Sequence, residues 1–274
     1  MDIEIMRNPR DPRFVTGQLV RLPASIAGIS RFGWTVLQIS EATEENARTK
    51  MSRRRFDVLP IENSGQIEEY FRTVQWNDYS RIVRDRMSEE DLIPYDTDIR
   101  DVIRWLSERS RVFFFLRDDH DVVGLISVVN LNRISVKVWF FSLLSEVEVR
   151  LGEFITNRVG DKELYKQTLD VATDPKYDKV KRRYLEDQAN GLELPVVEYL
   201  YFSDLVSLAV KNELHGSLGY TTASRFKRSL GPLVELRDGI AHPARSLVRD
   251  TTAVGKLWRL LERIDYALKR LRET

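Results

Sequence analysis

Apolar positions change their period part-way along this chain. Up to about Asn130, short runs rich in β-branched and aromatic residues alternate with helical patterns; beyond it the apolar positions recur almost purely at helical spacing. In PYDTDIRDVIRWLSERSRVFFFLRDDHDVVGLISVVN (94–130), Ile99, Val102, Ile103 and Leu106 mark one face of a helix that Asp96 or Thr97 can cap. RVFFFL then reads as a buried strand, RDDHD as a hairpin turn and VVGLIS as a second strand, with a helix expected from Ser127. A weaker copy lies upstream: EATEENARTKMSRRRF as helix, DVLPIE as strand, NSGQ as turn, IEEYFRTV as strand, and TVLQIS as a leading strand. Two such units about 50 residues apart form an internal repeat.

Past Asn130, Phe140, Leu144, Val147, Leu151, Phe154 and Ile155 share the stripe of one long helix. The charged stretch 161–191 reads as a solvated helix, a broken helix or a mobile connection. PVVEYLYFSDLVSLAVKNE predicts a helix with Pro195 in its first turn, and SRFKRSLGPLVELRDGIAHP a further one. The last helix, 251–272, carries Val254, Leu257, Leu261, Ile264, Leu268 and Leu271 on one stripe. Four or five amphipathic helices of this length suit a bundle.

Composition narrows the chemistry. The 274 residues suffice for one large domain or two ordinary ones, and 43 basic residues stand against 42 acidic ones, so any nucleic-acid surface must be local. With no cysteine, disulfides, thiolate metal sites and cysteine nucleophiles are excluded. The N-terminal MDIEIMRNPRDPRF has no apolar core of a secretory signal, and no run is long enough to span a bilayer. A soluble, cytoplasmic protein with no membrane partner is expected.

Gly124-Leu-Ile-Ser127-Val-Val-Asn130 carries the first candidate site. Its glycine lets a backbone or a ligand approach closely, its hydroxyl sits at a helix start that favours phosphate, and Asn130 lies one turn on, within reach of a ribose hydroxyl. An ordinary helix cap by Ser127 is the competing reading. Residues 17–130 resemble a CBS-domain pair, whose repeats commonly end in Gly, two apolar residues, Ser or Thr, two further residues and Asp. The resemblance implies an adenine nucleotide as regulatory ligand on Gly124, Ser127 and Asn130. Asn130 stands where the family has Asp, and GQIEEYF, the matching stretch of the first repeat, lacks the Ser/Thr–Asp pair, so that repeat is degenerate. In RTKMSRRR (48–55), Arg48, Lys50, Arg53, Arg54 and Arg55 either grip phosphate or form a solvated face.

The second candidate is LRDGIAHPARSL (236–247). Five residues of regular helix would set Arg237 and His242 about 140° apart. Gly239 and Pro243 predict that the helix distorts or ends there, presenting both side chains at the surface. An imidazole moves protons near neutral pH and a guanidinium holds a phosphate, which suffices for RNA cleavage because RNA carries its own 2′-hydroxyl nucleophile. Asp238 is placed to orient the histidine or a water. His120, in a predicted turn, has no catalytic role in this reading. Residues 131–274 resemble the HEPN superfamily, helical bundles with an Arg-x4–6-His motif, here Arg237-Asp238-x3-His242. The resemblance implies a metal-independent endoribonuclease that needs no cofactor for catalysis and dimerises through this domain. It implies toxin–antitoxin or phage-defence systems as the setting, hence an antitoxin or defence-system partner. Some members of the superfamily have lost activity and serve as binding or dimerisation modules.

Glu148 lies beside the apolar stripe of the first long helix and needs a partner, either Arg237 across the bundle or Arg150 or a lysine nearby. Residues 224–274 hold twelve basic against six acidic residues, and Arg245, three residues beyond His242, is the phosphate anchor expected for RNA. The expectation is an α+β CBS pair (17–130, after a 1–16 extension) followed by an all-α HEPN bundle (131–274).

Overall fold

The computed structural model describes residues 21–109, 111–170, 176–242 and 244–274; the expected 1–16 extension lies outside them. In chain order a one-turn helix α1 (Ala24–Ala27) leads to strands β1 (Ile29–Ser30) and β2 (Leu37–Gln38), helix α2 (Glu44–Arg54), and strands β3 (Val58–Asn63), β4 (Gln66–Thr73) and β5 (Ile82–Arg86). Then come β6 (Leu92–Pro94), α3 (Ile99–Glu108), β7 (Phe113–Asp118) and β8 (Asp121–Ser127). The remainder is helical: α4 (Ile134–Val159), α5 (Asp161–Tyr165), α6 (Lys176–Ala189), α7 (Phe202–Lys211), α8 (Ala223–Ile240) and α9 (Thr251–Glu273). The chain is thus mixed α/β at its N-terminal side and helical at its C-terminal side. It divides into two compact units: the described residues up to Trp139 with those of 244–259, and Phe140–His242 with Leu260–Thr274.

The first unit holds two four-stranded sheets, ordered β1-β8-β7-β6 and β2-β3-β4-β5. Each contains a parallel pair bridged by a helix (β2, α2, β3 and β6, α3, β7), as parallel strands require, followed by an antiparallel hairpin. The internal repeat is regular at the level of register. β3 and β7 are equal in length, and one offset carries Val58 onto Phe113 and Asn63 onto Asp118. Both hairpins carry a bulge at the same place, between Ile61 and Glu62 and between Leu116 and Arg117. Beside the hairpins, β5 pairs Arg86 with Glu69 where β1 pairs Ser30 with Gly124, and the same offset carries Glu69 onto Gly124.

Strands β3 and β7 are buried on both faces, which explains their continuous apolar runs. Leu59, Ile61 and Phe71 pack with Ala47 and Met51 of α2, while Val58 and Tyr70 pack on Phe113, Phe115 and Leu125 of the second sheet. Phe114 turns the other way, edge-on to Trp105 of α3. Full burial of a ring such as Phe114 or Phe115 contributes about 1.5–3 kcal/mol.

Several boundaries differ from the sequence expectation. Asp98, not Asp96 or Thr97, caps α3: its Oδ1 accepts from the Arg100 N–H at 2.8 Å, while the Thr97 hydroxyl donates to the Pro94 carbonyl at 2.7 Å. Ser127 opens a 3-10 turn (Val128–Asn132), and α4 begins only at Ile134. Pro195 opens another 3-10 turn rather than a helix. Leu200 and Tyr201 are extended there, and the Asp204 carboxylate accepts from the Tyr201 N–H at 3.1 Å to start α7. The charged stretch is a broken helix: α5, a π-helical turn (Lys166–Asp170) and α6.

The second unit follows the predicted stripes. Phe140, Leu144, Val147, Leu151 and Ile155 of α4 are fully buried, as are Phe226 and Leu233 of α8 and Leu261 and Ile264 of α9. No helix among the described residues is long and apolar enough to cross a membrane.

Candidate functional site

Arg237 stands in the last turn of α8, where a cation complements the helix's negative end. The helix stops at Ile240, so the wide angular separation of a regular helix does not apply to His242. The Ala241 N–H still donates to the Arg237 carbonyl at 3.1 Å, and the His242 N–H donates to the Gly239 carbonyl at 3.3 Å. His242 is exposed. A side chain at Gly239 would meet open space, so packing does not demand glycine there; its effect is a local loss of helix propensity.

Arg237 is held against α4. Its Nε lies 3.5 Å from Oε2 of Glu148, with the two side chains 29% and 19% exposed. The contact is an ion pair without an aligned hydrogen bond, because the buried Nε has no acceptor on its N–H axis. Nη1 lies 3.5 Å from Oδ1 of Asp238, which is mostly exposed. Burial pushes the Glu148 carboxyl above its ordinary value. The Arg237 guanidinium opposes that shift, and Asp238 adds to it. Arg150, the alternative partner for Glu148, pairs with Glu146 at 3.0 Å, as does Arg272 at 2.9 Å. No side chain among the described residues hydrogen-bonds the His242 imidazole; Asp238 engages Arg237 instead.

Arg245 is exposed and belongs to the other unit. There the backbone of Arg245 and of Val248 is tied down. Lys137 donates to the Arg245 carbonyl at 2.8 Å. The Asn132 amide grips Val248 at both ends, donating to its carbonyl at 2.8 Å and accepting from its N–H at 2.9 Å.

Gly124, Ser127 and Asn130 sit together at the end of β8, and internal contacts account for each. A Cβ on Gly124 would lie 2.7 Å from the Ile29 carbonyl oxygen, so the glycine admits the backbone of β1. Asn130 Oδ1 accepts from the Ser127 N–H at 2.8 Å and from its hydroxyl at 2.9 Å, holding the turn closed. Asn130 is buried. Within the same unit, a cavity of about 420 Å³ lies at the matching face of the first repeat, lined by Tyr70, Arg72, Asp85, Arg86, Asp91 and Arg111 among others. Arg72 occupies in the first repeat the place that Ser127 has in the second, opposite the first residue of β3 as Ser127 is opposite the first residue of β7. It pairs with Asp85, and Arg111 pairs with Asp91. These arginines were not singled out from sequence; the repeat offset was the signal that points to Arg72.

Among the other candidates, Arg48 pairs with Glu44 and Lys50 donates to the Val36 carbonyl at 3.0 Å, while Arg53, Arg54 and Arg55 are exposed. His120 is exposed in the β7–β8 turn, and His215 has a buried Nδ1 without a hydrogen bond. Among the described residues no group of three or more His, Asp or Glu side chains is placed to hold a metal ion. Comparison of the chain with protein-family models, with curated proteins and with solved structures found no match.

Proposed function

We propose that this chain is a metal-independent endoribonuclease of HEPN type, gated by a nucleotide bound to a CBS-type pair in its N-terminal half. One observation carries the proposal: a guanidinium fixed from behind by a half-buried carboxylate, Glu148, stands on the last turn of α8, and an exposed imidazole follows just beyond it. In the proposed reaction the 2′-oxygen of a ribose attacks the adjacent phosphorus and the P–O5′ bond breaks. A 2′,3′-cyclic phosphate and a 5′-hydroxyl result. His242 takes the 2′-hydroxyl proton or returns one to the departing 5′-oxygen, and Arg237 stabilises the charge gathering on the phosphoryl oxygens. Glu148 keeps the guanidinium in place, and Arg245 holds the RNA backbone.

The imidazole has no orienting partner among the described residues, which supports a dimer in which a second copy completes the cleft. The nucleotide is proposed at Gly124, Ser127 and Asn130, with the arginine-lined cavity of the first repeat as the further place for its phosphates. The proposed setting is a toxin–antitoxin or phage-defence system with its own protein partner.

The test is incubation of the full chain with a mixed RNA pool in chelator, beside Arg237→Ala and His242→Ala. Cleavage by the wild type that both variants lose supports the proposal. A second reading has its own support: two carboxylates already occupy Arg237. In that reading the helical half is a non-catalytic dimerisation or interaction module, and wild type and variants are equally inactive with the nucleotide present.

A further inference from the structure

Helix α8 carries a proline at its middle. Pro232 has no N–H, so the Arg228 carbonyl, four residues back, loses its helical donor. Arg263 of α9 fills the gap: its Nη1 donates to that carbonyl at 3.3 Å. One donor thereby ties the guanidinium to α8 and leaves the rest of its planar fork for another acceptor. Arg225 and Arg228 lie three apart on α8, hence at neighbouring positions of its surface, and both are exposed. Among the described residues none of Arg225, Arg228 and Arg263 has a carboxylate partner, whereas Arg270, two turns further along α9, has Glu273 at 2.8 Å. Cations gathered on one surface without a counterion repel one another, and an anion set among them removes that repulsion.

An aromatic ring borders these cations. Tyr266, three residues after Arg263 and so beside it on α9, is 42% exposed. Tyr220 meets its ring edge-on at 5.5 Å and is itself tied to α8 by the Ser229 hydroxyl at 3.2 Å. We propose that this surface, built by Arg225, Arg228, Arg263 and Tyr266, holds single-stranded RNA, an inference that rests on the nuclease reading only for the strand being the substrate. The arginines take backbone phosphates and a base stacks on Tyr266. The ring favours nucleic acid over an acidic protein segment, which would use the cations alone. All four residues belong to the unit that contains Arg237. Nine residues, about two and a half turns, separate Arg228 from Arg237 on α8, so the surface grips the strand outside the proposed cleft.

The experiment measures binding of a short labelled single-stranded RNA of mixed sequence, over a range of salt concentrations, to the full chain carrying His242→Ala as parent. Arg228→Gln and Arg263→Gln are each expected to weaken binding and to lower the logarithmic salt slope by about 1. Tyr266→Leu is expected to weaken it by about tenfold with the slope unchanged, while Tyr266→Phe binds as the parent does. Pro232→Ala keeps every charge and returns a helical donor to the Arg228 carbonyl. It is expected to raise the melting temperature and still weaken binding, because Arg263 loses its anchor. Lys162→Gln, which removes an exposed cation of α5, is expected to leave binding unchanged. The inference is overturned if the parent binds no RNA, if Lys162→Gln weakens binding as much as Arg228→Gln does, or if Pro232→Ala binds as the parent does. Unchanged binding by Tyr266→Leu overturns it as well and points to an acidic protein as the occupant. Should Arg263→Gln unfold, Arg228→Gln and Pro232→Ala decide. If the chain with His242 intact cuts no RNA while the surface variants lose binding, the nuclease reading falls and the surface stands; if it cuts RNA and those variants bind as the parent does, the surface alone falls.

Discussion

At the end of β8, Ser127 donates twice, from its N–H and its hydroxyl, to the Oδ1 of the buried Asn130. At the end of α8, Arg237 keeps a buried Nε with no aligned acceptor, 3.5 Å from a carboxylate whose own protonation is shifted by burial. Both places look alike in the sequence, as polar residues at short spacing beside a glycine. They differ in what folding leaves over. The first is closed by its own geometry. The second keeps a buried donor without an aligned acceptor and a carboxyl whose protonation is shifted by burial.

The largest way to break this contrast is to remove the groups proposed for chemistry. His242→Ala is expected to lower RNA cleavage by about 10²- to 10⁴-fold with little change in thermal stability, because the imidazole is exposed. Arg237→Ala should match it in rate and also destabilise the fold, since it strands Glu148. Rates in chelator and a melting curve read the two effects separately.

Glu148→Gln comes next. It keeps the shape and removes the charge behind Arg237, and cleavage should fall by about tenfold. The stability effect has a definite sign. Because the folded state raises the Glu148 carboxyl above its ordinary 4.5, its contribution to stability is present below that value and fades as pH rises through the raised one. Urea midpoints followed from acid to neutral pH should show the wild type losing ground to Glu148→Gln over that interval.

Ser127→Ala sharpens the other side. Loss of the hydroxyl's hydrogen bond to Asn130 should lower stability by about 1 kcal/mol. It should also reduce cleavage less than Glu148→Gln does, since it acts through the turn rather than on the guanidinium. Arg245→Ala is the mildest: binding to RNA weakens uniformly across sequences and the logarithmic salt slope drops by about 1, as a titration over salt concentration would show.

The hairpins were legible because a strand buried on both faces must be apolar throughout, and FFFL and VLPI are. The repeat was legible for the same reason, though the constancy of its offset appears only in the pairing. β1, β5 and β6 were not. β1 and β6 span two and three residues, too few for any period, and of the five residues of β5 only Ile82 is buried, so neighbouring strands fix all three. Pro195 misled because it suits the first turn of a 3-10 segment as well as that of a helix, and only the extended Leu200 and Tyr201 separate the two. Of the candidate site, a carboxylate beside an apolar stripe marked Glu148 as needing a partner but left Arg237 and Arg150 open, and only the structure pairs it with Arg237. The grip of Asn132 on Val248 left no local mark, since its partners lie 116 residues apart. The arginine-lined cavity is likewise built from the end of one repeat and the start of the next.

The most direct measurement is the chemistry of the ends left on RNA cut in chelator, read by mass spectrometry. The account predicts 2′,3′-cyclic phosphates and 5′-hydroxyls, absent when His242 is alanine and absent from RNA whose ribose at the cut site is 2′-deoxy. Ends bearing 3′-hydroxyls and 5′-phosphates, or cleavage that survives loss of the 2′-hydroxyl, would contradict it.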